Sequence, residues 1–364
     1  MHSLPSYPRR CPASHPSASF RIFCLGALLM MTPGFTNSAA LTQSPIQFEQ
    51  YTLDNGLTVI LHEDHSTPIA AVVVMYHVGS KNEKVKRTGF AHLFEHMMFQ
   101  GSQHVRDEEH FRLLQEVGAN VNGTTSNDRT NYFEVLPSNY LELALYLESD
   151  RMGFLLPAMT QSKLDNQRDV VKNERRQRVD NQPYGRAGEM MDKMLYPEGH
   201  PYSWPVIGHM EDLTAASLGD VTEFFRLYYA PNNAVVSVAG DIDPVKTKAW
   251  IRKYFGAFPR GGDIRRPEPQ PVVPDRDKRA VYEDRVQLPR LYLTWPGPPL
   301  NTREDAVMDV LTDILSVGKN SRLYKALVYE QQIAQSAYAY QNGAEIAGET
   351  AVSSPPDPEK TSPR

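Results

Sequence analysis

The hydrophobic and polar positions change period several times along the chain. "YTLDNGLTVILHED" (51–64) alternates about an Asn-Gly pair and reads as two short strands joined by a hairpin turn. "IAAVVVMYHVGS" (69–80) is a β-branched run suited to a buried strand, and "VGANVNGTTSNDRTNYFEVLP" (117–137) reads as two strands around a polar turn. Helical spacing governs "NYLELALYLESDRM" (139–152), a charged stretch at 162–181, and "DLTAASLGDVTEFFRLYY" (212–229), which reads as one amphipathic helix. "NAVVSVAGDID" (233–243) is a further buried strand ending in a Gly-Asp turn. Strands and helices mix without strict βαβ alternation, so the pattern predicts an α+β sandwich.

The pattern breaks at "RGGDIRRPEPQPVVPDRD", and 260–277 reads as an interdomain linker after a domain at 41–259. From 278 to 348 the coarse order of strand, loop and helix returns, which predicts a partial second copy of the first unit. Where the first unit has "HLFEH", the second has "VLTDIL" and no metal-binding pair. Residues 349–364 end in "SSPPDPEKTSPR", and this stretch reads as a disordered tail that leaves the second unit incomplete.

The first forty residues stand apart. They hold Arg9, Arg10 and Arg21, no acidic residue, an apolar run "IFCLGALLMM" and a small-residue stretch "NSAA", with Ser38 and Ala40 at −3 and −1 of a cleavage site. The run is too short to span a bilayer, so 1–40 reads as a secretory signal peptide and no stable membrane insertion is expected. The chain is expected to be exported, and periplasmic if bacterial. Its overall composition, 41% hydrophobic and 22% charged, is that of a globular protein. Without the leader, 35 Lys+Arg face 43 Asp+Glu, a net charge of −8, which points away from nucleic acid and anionic membranes as partners. Cys11 and Cys24 both fall in the leader, leaving no disulfide framework.

The candidate chemistry lies in "GFAHLFEHMMFQGS" (89–102). On a helix, His92 and His96 share one face four residues apart, and Glu95 approaches the same point from the side. Two imidazoles on one face suit Zn²⁺, one ion per chain, and a neighbouring carboxylate that is not a ligand suits a general base. Zinc needs at least one further protein donor. Glu174 is a candidate, one turn after Val170 on the side that Val170 and Val171 mark as inward; on the residues alone, a solvated helix surface accounts for it better. His62 and His65 in "LHEDH" read as a solvated turn, and His104 and His110 as surface residues.

Five motifs in order, "GFAHLFEHMMFQGS", "GANVNGTTSNDRTNYFEVLP", "QRDVVKNERRQRVDNQPYG", "HPYSWPVIGHMEDL" and "YYAPNNAVVSVAGDID", closely resemble the insulinase/pitrilysin family of zinc metallopeptidases, including its exported bacterial members. The resemblance spans 47–348. It implies His92, His96 and Glu174 as metal ligands and Glu95 as the catalytic base of a zinc endopeptidase acting on peptides or unfolded segments. It implies duplicated α/β sandwich units, two per half, with two halves closing around a peptide. Asn122, Gly123 and Thr124 match an edge strand that binds substrate by β-augmentation, and Asp128 and Tyr132 match positions near the site. Gln167 stands where many members carry a second glutamate. The incomplete second unit favours an alternative, a non-catalytic or partner-dependent subunit completed by a complementary peptidase half or a second copy.

Overall fold

The structure, a computed structural model, describes residues 46–268 and 272–356. The predicted leader lies outside them, as do 357–364 of the predicted tail.

A six-stranded mixed sheet organises the first part, in the order β1-β2-β6-β3-β5-β4. Strands β1 (Glu49–Thr52) and β2 (Thr58–Glu63) form the predicted antiparallel hairpin. Gly56 adopts φ +89° and its N–H returns to Leu53 O at 2.8 Å, which closes the turn. β3 (Ile69–Tyr76) is central, antiparallel to both β5 (Thr130–Pro137) and β6 (Ala234–Gly240). β4 (Asn120–Thr125) pairs with β5 alone and forms one edge. Alternation along β3 buries Ala70, Val72, Val74 and Tyr76 on one face. Each fully buried valine contributes roughly 1.5–3 kcal/mol from lost apolar exposure.

The helices of this part run in chain order α1 (Phe90–Met97), α2 (Glu109–Glu116), α3 (Leu141–Ala158), α4 (Gln161–Arg175), α5 (Ala187–Leu195), α6 (Met210–Ala215), α7 (Leu218–Tyr228) and α8 (Pro244–Phe255), and all but α5 bury side chains in this core. Two differ from the pattern-based expectation. The single helix expected over 212–229 is broken, because Ser217 accepts from the Asp220 N–H while Asp220 caps the Ser217 N–H, and this capping box starts a new helix. α3 runs past Met152 through a kink at Phe154. A side chain at Gly153 would put a Cβ 2.2 Å from the Phe258 ring, so only glycine allows that approach.

Residues 260–268 and 272–277 contain no helix or strand. Beyond them lie β7 (Leu291–Gly297), α9 (Arg303–Ser316), β8 (Tyr338–Gly343) and β9 (Gly348–Ser354). They build a three-stranded antiparallel sheet ordered β7-β9-β8. The expected tail is therefore corrected at its start: 349–354 belong to β9, the central strand, which pairs with neighbours on both sides. The Pro-rich residues that follow hid the short "TAVSS" strand pattern. Leu291, Leu293 and Trp295 of β7 and Val307, Val310, Leu311 and Ile314 of α9 are exposed. Among the described residues, no helix is long and apolar enough to cross a membrane.

Candidate metal centre

The motif helix α1 opens at Gly89, whose φ of +86° suits glycine and whose missing side chain cannot cap the helix. Glu83 does so from outside: its carboxylate accepts the N–H of Gly89 at 2.9 Å and of Ala91 at 2.8 Å. Burial pushes the Glu83 carboxyl up to about 8, against the pull of those backbone donors. Leu93, Phe94 and Met97 bury the apolar face of α1 in the core. The polar face turns His92 and His96 toward α4.

In α4 the buried positions are Leu164, Gln167, Val171 and Arg175. This stripe brings Glu174, three residues after Val171, to the inner side. Val170 does not mark that side; it is 40% exposed. In so charged a helix the i, i+7 pair of Leu164 and Val171 carries the inward signal, and the adjacent Val170 merely obscures it.

The three candidate ligands converge. His96 Nε2 lies 3.1 Å and His92 Nε2 3.6 Å from Glu174 Oε2, and all three donor atoms fall within 4.8 Å of one another. Tetrahedral zinc with bonds of about 2.1 Å needs ligand atoms about 3.4 Å apart. Glu174 Oε2 and His92 Nδ1 are buried and lack a hydrogen-bond partner among the described residues. An orphaned carboxylate oxygen facing two imidazoles costs free energy unless a cation joins them, so the donor set fits zinc. Burial, with His96 adding to it, lowers His92 to about 4, which keeps it neutral as a ligand must be. The His96 imidazole lowers Glu174, whose other oxygen pairs with Arg178 Nη1 at 2.7 Å.

Glu95 sits beside this group. Its Oε2 accepts the Thr125 hydroxyl at 2.6 Å, and burial raises its pKa while that hydrogen bond opposes the shift. A carboxylate with a raised pKa holds a transferred proton better. Gly123, on the β4 edge, is packed against it: a Cβ there would come 3.1 Å from Glu95 Cγ and 3.2 Å from Tyr132 Cδ1. Asn122 Oδ1 takes the Gly123 N–H at 2.9 Å, and Thr124 bonds Asn131 across the strand pair at 2.6 Å. Tyr132 is fully buried beneath the site, and Asp128 occupies the turn after β4.

The remaining histidines divide. His65 lies exposed between Glu63 and Asp241, as a solvated turn would have it, and His104 is half exposed against Asp150. His110 is not at the surface: it is 3% exposed, with Nε2 3.8 Å from Glu134 Oε1. It faces inward on a helix otherwise rich in charge, packed edge-on against Phe99. His110, Glu134 and Glu148 also bring donor atoms within 4.8 Å, but the Arg151 guanidinium binds both carboxylates there and serves as their cation. Glu83, Thr125 and Arg178 also serve the centre, and nothing in the local sequence marks them. A glutamate six residues before a glycine-led helix, and an arginine four residues after Glu174, are too common as patterns to single out.

Residues 58–199, which contain all four candidate centre residues, match the family model for insulinase (peptidase family M16), and 215–364 match that for the peptidase M16 inactive domain. The chain is 31% identical over 325 residues to zinc protease PqqE of Helicobacter pylori, covering 88% of this chain and 72% of that one. A crystal structure of a protease from Helicobacter pylori superposes with a TM-score of 0.79 at 30% identity, over 86% of this chain and 75% of the other. The first half of the periplasmic protease PqqL from Escherichia coli superposes with a TM-score of 0.66 at 21% identity, over 88% and 70%, and speaks for the fold alone.

Proposed function

The chain belongs to the insulinase family, peptidase family M16, and from that premise we propose that it is a zinc-dependent endopeptidase acting on peptides or unfolded protein segments. His92, His96 and Glu174 would hold one zinc ion per chain. Zinc held there supplies Lewis acidity that acidifies water and polarises a peptide carbonyl. Glu95 takes the proton from the attacking water and returns it to the leaving amine, its orientation fixed by the Thr125 hydroxyl. A peptide aligns on the open edge of β4 through main-chain hydrogen bonds at Asn122, Gly123 and Thr124. The lack of a side chain at Gly123 keeps that edge clear beside Glu95. The observation that carries this reading is the convergence of two imidazoles on the orphaned Glu174 oxygen, with the partly buried Glu95 alongside.

The decisive experiment pairs elemental analysis with cleavage of a quenched-fluorescent peptide library. Stoichiometric zinc and chelator-sensitive cleavage support the proposal; a purified chain that takes up no zinc refutes it. We further propose that the protein is exported, and periplasmic if bacterial. The leader expected at 1–40 from the sequence supports this, and it agrees with the periplasmic description of PqqL.

A second reading rests on the exposed apolar residues of β7 and α9. Monomeric surfaces seldom leave such residues clustered. On this reading the chain is a partner-dependent subunit, non-catalytic or weakly active alone, that docks a complementary peptidase half.

A further inference from the structure

The tip of the β8–β9 hairpin, 344–347, reaches back to the turn that follows β4. Glu345 Oε2 lies 2.5 Å from Lys81 Nζ, and the Glu345 N–H donates to Asp128 Oδ2 at 2.9 Å. The Lys81 side chain is fully buried, and its ammonium also bonds Asp128 Oδ1 at 3.1 Å. Tyr202 ties the same parts together: its hydroxyl donates to Asp128 Oδ1 at 2.6 Å and accepts the Ile346 N–H at 3.1 Å. His77 Nε2 meets Glu345 Oε2 at 2.5 Å. Beneath this, Tyr196, Tyr202, Ile346 and Ala347 share a small apolar cluster.

The turn so held is rigidly connected to the centre. The Ser80 and Lys81 N–H groups donate to the carbonyls of Ser126 and Asn127 at 3.2 and 2.9 Å. Gly79 lies so near that a Cβ would fall 2.3 Å from Ser126 O. Thr125, the residue before that turn, gives its hydroxyl to Glu95. A buried ammonium must keep its carboxylates close, because one left unpaired in the interior is costly. Through Lys81, the position of Glu345 therefore fixes Asp128, and Asp128 fixes the strand end that carries Thr125.

We propose that Glu345 is a positioning residue for Glu95, so that the part of the chain without metal ligands sets the orientation of the catalytic carboxylate through Lys81, Asp128 and Thr125. The proposal rests on the peptidase reading for the role of Glu95, but the mechanical coupling stands apart from it.

The test uses the zinc-loaded full chain and the variants Glu345→Gln and Glu345→Asp. In Glu345→Gln we expect kcat to fall at least about fivefold with KM within about twofold and zinc at the wild-type level. Glu345→Asp, which keeps the charge, should recover part of the loss. Hydrogen–deuterium exchange over 124–131 should quicken in Glu345→Gln. Unchanged exchange in that segment, an unchanged kcat, or a loss of activity that merely follows loss of zinc would overturn the proposal. If the wild-type chain cleaves no peptide, the peptidase reading fails, and exchange over 124–131 alone decides the coupling.

Discussion

Glu83 Oε1 accepts the N–H of Ala91 at 2.8 Å, one residue before His92, so a carboxylate outside α1 closes the end of the helix that carries the site. Truncating it leaves the buried N–H groups of Gly89 and Ala91 unsatisfied. Glu83→Ala should cost roughly 1–3 kcal/mol of stability and weaken zinc retention. Glu83→Gln, which keeps an acceptor, should cost less. Thermal unfolding with and without a chelator measures both.

His92→Ala and His96→Ala should each abolish stoichiometric zinc, since two protein donors seldom hold the ion. Elemental analysis of the purified variants decides this. Zinc at one per chain in either variant would place the centre elsewhere.

Glu95→Gln separates metal from chemistry. Glutamine keeps the size and can still accept the Thr125 hydroxyl, but it cannot take a proton. Retained zinc with turnover lowered roughly a hundredfold or more is the expected outcome. Normal turnover in the zinc-loaded variant would exclude Glu95 as the base.

Gly123→Ala should impair turnover without touching a ligand. The added methyl comes 3.1 Å from Glu95 Cγ and 3.3 Å from Phe99, so Glu95 or the strand must shift. We expect kcat/KM to fall about tenfold or more, since small misplacements at a reacting centre are costly, with zinc content unchanged. Kinetics together with elemental analysis check it.

Light scattering after size exclusion tests the second reading. The exposed Leu293 and Trp295 of β7 should drive association, and a Leu293→Ser, Trp295→Ser double variant should shift the population toward monomer. A monodisperse wild-type monomer with brisk peptidase activity would show that no partner is needed.

The sequence made the strands legible wherever β-branched runs alternate, as in β3 and β6, because one buried face leaves a period-two record. The centre was half legible. His92, Glu95 and His96 sit on one helix, and their spacing alone states their geometry. Glu174 comes from a different helix; of the local apolar cue, Val171 is buried but Val170 faces out, and it took the resemblance to a family to favour Glu174 over a solvated surface. The inward placement of His110 and the caps by Glu83 and Ser217 depend on partners or short-range bonds that leave no periodic trace. β9 was missed because a seven-residue strand with few apolar residues is defined by the neighbours that flank it, and both are distant in sequence or hidden behind polar turns.

Arg151 lies over the rings of Tyr132 and Phe99, 4.1 and 4.9 Å from their centres, while bonded to Glu134 and Glu148. α3 supplies Arg151 and Glu148, β5 supplies Glu134 and Tyr132, and His110 of α2 closes the group. Peeling α3 from β5 separates the Arg151 guanidinium from Glu134 in an apolar interior, and breaking such a buried pair costs roughly 3–5 kcal/mol. Partial opening of this region is thereby penalised beyond its share of lost packing. The slab under Glu95 should exchange its amides only through global unfolding, leaving no cheap local route by which a protease or a chaperone could enter it.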